Sequence, residues 1–82
     1  GTSNSIMEAM NASLPIVATN VGDNNQLVKD GVNGYIVDAR DSTQMTHKIE
    51  RLLSDLSLRN TMGLQSNNIL KNNYSKDSFE NQ

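Results

Sequence analysis

Eighty-two residues, 35% hydrophobic and 20% charged, fit one small domain at most. A formal net charge of −2, with seven Lys plus Arg against nine Asp plus Glu, argues against a nucleic-acid backbone as the main partner. The absence of cysteine excludes thiol chemistry and disulfides, and no apolar run approaches the roughly 20 residues of a membrane span.

The opening Gly1-Thr2-Ser3-Asn4-Ser5 is polar and rich in capping residues, and it runs into the helix formers of Ile6-Met7-Glu8-Ala9-Met10. A short helix capped by Ser3 or Asn4 is expected. Ile6 and Met10 stand one turn apart and share an apolar face, whereas Glu8 lies about 200° round from Ile6 and faces away. After a polar break at residues 11–13, Pro15-Ile16-Val17-Ala18-Thr19 is a β-rich run without alternation, as expected of a strand covered on both faces. Pro15 takes its first position, where a missing N–H is tolerated.

Asn20-Val21-Gly22-Asp23 reads as the loop at the carboxyl end of that strand, and residues 24–29 suit one or two helical turns. Asp30-Gly31-Val32-Asn33-Gly34 then sets two glycines and an asparagine where positive φ is expected, before a second strand at Tyr35-Ile36-Val37. From Asp41 the period changes: Met45, Ile49, Leu52, Leu53 and Leu56 form one stripe of an amphipathic helix capped by Asp41 or Ser42. A second helix over residues 58–74 is expected to bury Leu58, Met62, Ile69 and Leu70, with Gly63 weakening it by up to about 1 kcal/mol relative to Ala. The tail at residues 75–82 has no clear pattern, although Phe79 is able to dock. The asparagine pairs 24–25, 67–68 and 72–73 lie at no ligand-like spacing and read as compositional drift.

Alternating short strands and helices imply an α/β layer with a parallel sheet. Two strands of this length do not make such a sheet stable alone, because parallel sheets need cover on both faces and more strands. A chain this short also buries only roughly 60% of the surface its unfolded form exposes. Residues 1–82 are therefore expected to be one partial unit, the C-terminal part of a doubly wound, Rossmann-like domain.

Gly1-Thr2-Ser3-Asn4-Ser5-Ile6-Met7-Glu8-Ala9-Met10 followed by Leu14-Pro15-Ile16-Val17-Ala18-Thr19 resembles the nucleotide-sugar site of retaining glycosyltransferases of the GT-B fold, family 4 above all. That family has a Glu-Gly-x-x-Asn loop entering a helix with a second Glu-Ala-Met, a small-residue turn and a Pro-Val-Val-Ala-Thr-like strand. The likeness continues through Gly22, the 30–37 stretch and the helix begun by Asp41 and ending in Leu52-Leu53, covering about the first 56 residues. The family's two glutamates are separated by seven residues, so Glu8 matches the second and the first would precede Gly1. Where the family often has Gly-Gly and then Glu, this chain has Gly22-Asp23 and then Gln26, a change expected to bear on specificity rather than fold.

The resemblance implies transfer of a sugar, of hexosyl type, from a nucleoside-diphosphate sugar to a carbohydrate or lipid-linked acceptor with retention. Its donor-binding residues here would be Gly1, Thr2, Ser3, Asn4 and Glu8, with Glu8 on the nucleotide ribose and the others offering donors to the diphosphate and sugar. A helix start supplies free N–H groups and the positive end of a dipole for such an anion. No catalytic residue, metal ligand or cofactor is expected within the stretch; the family's Arg and Lys cations and the acceptor-binding domain would lie upstream, so these residues alone are expected to be inactive. A cytoplasmic location is expected, with peripheral membrane contact open to the intact protein.

Other residues have plainer readings. His47 falls on the solvent side of its helix, the methionines fill the core, and Asp38-Ala39-Arg40-Asp41 reads as turn and cap rather than a metal motif. The Leu-striped helix with Lys48, Glu50 and Arg51 reads as core cover before membrane binder. Two alternatives to the glycosyltransferase are a non-catalytic nucleotide-binding or assembly module on the same scaffold, and an epimerase on the same two-domain architecture, whose different acidic loop is not found.

Overall fold

The computed structural model describes the backbone of residues 2–80 and the side chains of residues 4–73. Its elements follow the expected order: α1 (Thr2–Asn11), β1 (Ile16–Thr19), α2 (Asn24–Leu27), β2 (Gly34–Val37), α3 (Ser42–Ser54) and α4 (Leu56–Glu80). The strands pair in parallel, Ile16 opposite Gly34 through Thr19 opposite Val37, with α2 in the crossover between them. This small α/β arrangement fits a piece of a Rossmann-like layer.

Apolar clusters lie on both faces of the strand pair, but they cover β1 unequally: Ile16 and Ala18 are buried, while Val17 and Thr19 on the other face are half-buried. On one face Ile16 and Ala18 pack with Ile6 and Met10 of α1, Leu27 and Val28, and Ile69 and Leu70 of α4 lean on that cluster. On the other, Tyr35 packs with Leu52 of α3 and Met62 of α4, beside the half-buried Val17 and Leu58.

Several local expectations need correction. α1 already includes Thr2, so Ser3 and Asn4 sit inside its first turn rather than capping it. Positive φ in the 30–34 turn belongs to Gly31 (81°) and Gly34 (156°) but not to Asn33, while Ser13 takes it up after α1 (60°). Asn33 is instead fully buried. Its Oδ1 accepts from the Lys29 N–H at 2.7 Å, its Nδ2 donates to the Leu27 carbonyl at 3.1 Å, and its carbonyl accepts from Ile16 N–H and Ser66 Oγ. One asparagine thus ties the end of α2, the start of β1 and the flank of α4.

Asparagine is not mere drift elsewhere either. The buried Asn24 donates to the Thr19 carbonyl at 2.9 Å, and Asn67 donates from α4 to the Asn11 carbonyl at the end of α1 at 3.1 Å.

Asp41 caps α3 through the Gln44 N–H. Asp55 interrupts the helical run in an extended conformation and accepts from the Leu58 N–H. The break assigns Leu56 to α4 instead of α3, and α4 runs through Glu80, past the expected end at Tyr74. Of the α3 stripe only Leu52 is buried; Met45 is half-buried, and Ile49, Leu53 and Leu56 are exposed. Of the positions expected to be buried in α4, Met62 is buried and Leu58, Ile69 and Leu70 are half-buried. Phe79 lies outside the residues whose side chains are described.

Candidate functional site

α1 is amphipathic in the way its sequence implies. Ile6 and Met10 point into the core and fix the helix, which leaves Glu8 on the exposed side. Thr2, Ser3 and Asn4 form the first turn, and Asn4 is exposed. In any α-helix the N–H groups of that turn have no intrahelical acceptor, so they are available to an anion. Glu8 stands one turn beyond Asn4, its carboxylate open to solvent. Gly1 lies outside the described residues. Among the described residues the ion pair formed is Arg40 with Asp38, and no described cation pairs with Glu8.

A cleft of about 330 Å³ opens where both strands end, lined by Asn20, Ile36, Val37, Asp38, Ala39 and Arg40. The carboxyl edge of a parallel sheet is where open α/β folds receive ligands. Of the nominated residues whose side chains are described, Asn4 and Glu8, neither is among those lining this cleft. Its floor is held by the Asn20 N–H donating to the Val37 carbonyl at 2.9 Å. Its rim is a turn in which Asp38 Oδ1 accepts from the Arg40 N–H at 2.8 Å and from Arg40 Nε at 3.2 Å. Those two hydrogen bonds from Arg40, the side-chain one foremost, hold the Asp38 carboxyl below its ordinary pKa. The arrangement agrees with the turn-and-cap reading of residues 38–41, and no group of three metal-ligating side chains occurs among the described residues.

Sequence reasoning missed one polar cluster altogether. The buried Tyr35 accepts a hydrogen bond from Arg51 Nε at 3.2 Å, and Lys48 Nζ lies 4.6 Å from the centre of its ring. Lys48 and Arg51 are about one turn apart on α3, so together they fasten that helix to β2. The only advance signal was a tyrosine in a strand opposite a helix with cations at i and i+3. His47 is exposed, as expected, and so stands apart from this cluster.

The sequence model of a family described as glycosyl transferases group 1 matches residues 1–55. The capsular polysaccharide biosynthesis glycosyltransferase CapM of Staphylococcus aureus is 35% identical over 75 residues, 92% of this chain and 20% of that protein. Spore coat protein SA of Bacillus subtilis is 37% identical over 68 residues, 82% of this chain and 18% of that protein. The alpha-D-kanosaminyltransferase of Streptomyces kanamyceticus is 39% identical over 57 residues, 70% of this chain and 15% of that protein. The chain spans about a fifth or less of the length of these relatives.

Proposed function

We propose a function from one premise: the chain belongs to the glycosyl transferases group 1 family. In this reading residues 1–82 are part of the donor-binding, Rossmann-like half of a GT-B glycosyltransferase that moves a sugar from a nucleoside-diphosphate sugar to an acceptor with retention, in the cytoplasm. The first turn of α1, with Gly1, Thr2, Ser3 and Asn4, offers backbone donors to the diphosphate and sugar. Glu8 accepts hydrogen bonds from the two adjacent ribose hydroxyls.

The observation that carries the reading is the division of α1 into a buried face, Ile6 and Met10, and an exposed carboxylate one turn past the helix start. A helix start stabilises the charge that grows on a leaving diphosphate, because its N–H dipoles are already oriented before the bond breaks. Among the described residues no cation pairs with Glu8, which suits a carboxylate that binds hydroxyls. Residues 12–15 are a short connection from α1 into β1, and such a return runs the helix back along the strand, bringing its start towards the carboxyl edge.

The test is titration of the full-length protein with UDP, GDP and ADP, wild type against Glu8→Ala. Loss of a hydrogen bond to a charged acceptor is worth about 1.5–3 kcal/mol, so affinity for the preferred nucleotide is expected to fall roughly tenfold to a hundredfold. Unchanged affinity refutes the ribose role. One relative is named for the spore coat rather than for a transfer reaction, and this favours a second reading as a non-catalytic nucleotide-binding or assembly module. Turnover separates the two: a module binds the nucleotide but releases no sugar from any nucleotide sugar.

A further inference from the structure

Asn33-Gly34, at the entry to β2, is the only place in these 82 residues where an asparagine precedes a glycine. In a loose chain such a pair is chemically labile, because glycine has no side chain to shield its nitrogen and its backbone reaches the ring-closing geometry freely. The Gly34 nitrogen gives up its proton to a base in the solvent and attacks Asn33 Cγ. An N–Cγ bond forms, the Cγ–Nδ2 bond breaks, and Nδ2 takes up a proton and leaves as ammonia, closing a five-membered imide. Water then adds at Cγ to give aspartate, or at the main-chain carbonyl to give isoaspartate. One water is consumed for each ammonia released, and nothing is oxidised or reduced.

Packing calls for both members of this pair. Gly34 has a φ of 156°, and a Cβ there would overlap the main chain of Ile16, its partner across the strands, so a larger residue does not fit. Asn33 accepts from the Lys29 N–H at 2.7 Å and donates to the Leu27 carbonyl at 3.1 Å, a combination of acceptor and donor that a carboxylate lacks.

The same contacts hold the pair inert. Asn33 is fully buried, away from the base and the water that the reaction consumes. Attack would make Cγ tetrahedral and pull Oδ1 and Nδ2 away from the partners they have in the planar amide. The main chain is tied as well: the Asn33 N–H donates to the Lys29 carbonyl at 3.3 Å, and its carbonyl accepts from the Ile16 N–H at 3.0 Å and from Ser66 Oγ at 3.3 Å.

We propose that Asn33 is a site of spontaneous deamidation, held closed by native packing, and that a molecule which opens there and reacts does not regain the native tie. Aspartate at this position sets an oxygen against the Leu27 carbonyl and buries a negative charge. Isoaspartate routes the main chain through Cβ and Cγ, adding one backbone carbon before β2 and displacing the carbonyl that Ile16 and Ser66 hold. The reactant is water, and the proposal does not rest on Glu8 or on any nucleotide contact.

The test follows the full-length protein near neutral pH in native buffer and in guanidinium. Peptide mass mapping tracks the amide-to-acid change, with fragmentation placing it on residue 33. The native rate is expected to be at least about thirtyfold below the unfolded rate, since reaction requires local opening. A smaller ratio overturns the proposal, because the site is then open in the native protein. Protein partly deamidated in guanidinium is next returned to native buffer and treated briefly with protease. Chains modified at residue 33 are expected to be cleaved at least about fivefold faster than unmodified chains in the same sample, and a smaller difference overturns the loss of the tie. If the full-length protein does not refold, Asn33→Asp made directly replaces this step: its urea midpoint is expected below that of wild type, and an unchanged midpoint overturns the claim. No nucleotide is present in either step, so failure here leaves the donor reading untouched.

Discussion

Replacing Gly63 by alanine sets two physical effects against each other, and the structure decides the sign. In an exposed helix the change stabilises by up to about 1 kcal/mol, because alanine is the better helix former. Gly63, however, sits in α4 where a Cβ would come 2.0 Å from the Ser13 carbonyl oxygen and 2.9 Å from its carbon, both main-chain atoms. Real Cβ atoms do not approach within 3.0 Å, so α4 and the turn after α1 must separate by about 1 Å. The same separation strains two hydrogen bonds made one turn on, Ser66 Oγ to the Asn33 carbonyl at 3.3 Å and Asn67 Nδ2 to the Asn11 carbonyl at 3.1 Å. Overpacking of this kind costs about 1–3 kcal/mol and each weakened bond about 0.5–1.5 kcal/mol, which outweighs the propensity gain and leaves a net loss of about 1–4 kcal/mol. Urea unfolding followed by circular dichroism measures it, with Asn68→Ala as the exposed helical control, expected to be neutral or slightly stabilising. A Gly63→Ala protein as stable as wild type refutes the close approach.

Three other outcomes are expected. Asn33→Ala removes two side-chain hydrogen bonds and strands the buried Leu27 carbonyl, so it should cost about 2–4 kcal/mol in the same unfolding assay, against less than about 0.5 kcal/mol for the exposed Asn25→Ala. Asp38 has its carboxyl pKa lowered in the fold by Arg40, so what it contributes is present above the unfolded-state pKa and is lost only as pH falls through the lower folded value. The Arg40 amide resonance should therefore titrate with a midpoint below the ordinary aspartate value of 3.8, and a midpoint at or above it removes the hydrogen-bonded turn. The Glu8→Ala loss of nucleotide affinity joins these as the test of the donor site.

The element order, the parallel pairing and the exposed Glu8 were legible because each depends on local pattern: apolar spacing in α1, an unbroken β-rich run, and glycines before β2. The residues that lock those elements together were not. Asn33 and Ser66 look like loop and helix-surface residues in sequence, yet both are fully buried, because each satisfies backbone groups brought together only by the tertiary fold. Gly63 read as a helix defect for the same reason, since propensity carries no information about what approaches from outside. The α3 stripe erred in the opposite direction. Periodicity revealed an apolar face correctly, but it does not say whether the partner for that face lies within these residues.

The locking residues also bear on the candidate donor site through the helix that carries it. The C-terminal end of α1 is held by the Leu14 N–H donating to the Ala9 carbonyl and by Asn67 reaching the Asn11 carbonyl, and Gly63 allows α4 to lie close enough for that reach. A ten-residue helix is a rigid lever about 15 Å long, so a tilt of only about 4° at its anchored end displaces its first turn by about 1 Å. Hydrogen bonds to a diphosphate tolerate a few tenths of an ångström. In the proposed donor reading, the contact between Gly63 and the Ser13 turn therefore bears on where the first turn of α1 points as well as on stability. A glycine in the middle of a helix, unfavourable by its own propensity, is thereby tied to the placement of the helix on which the proposed function depends.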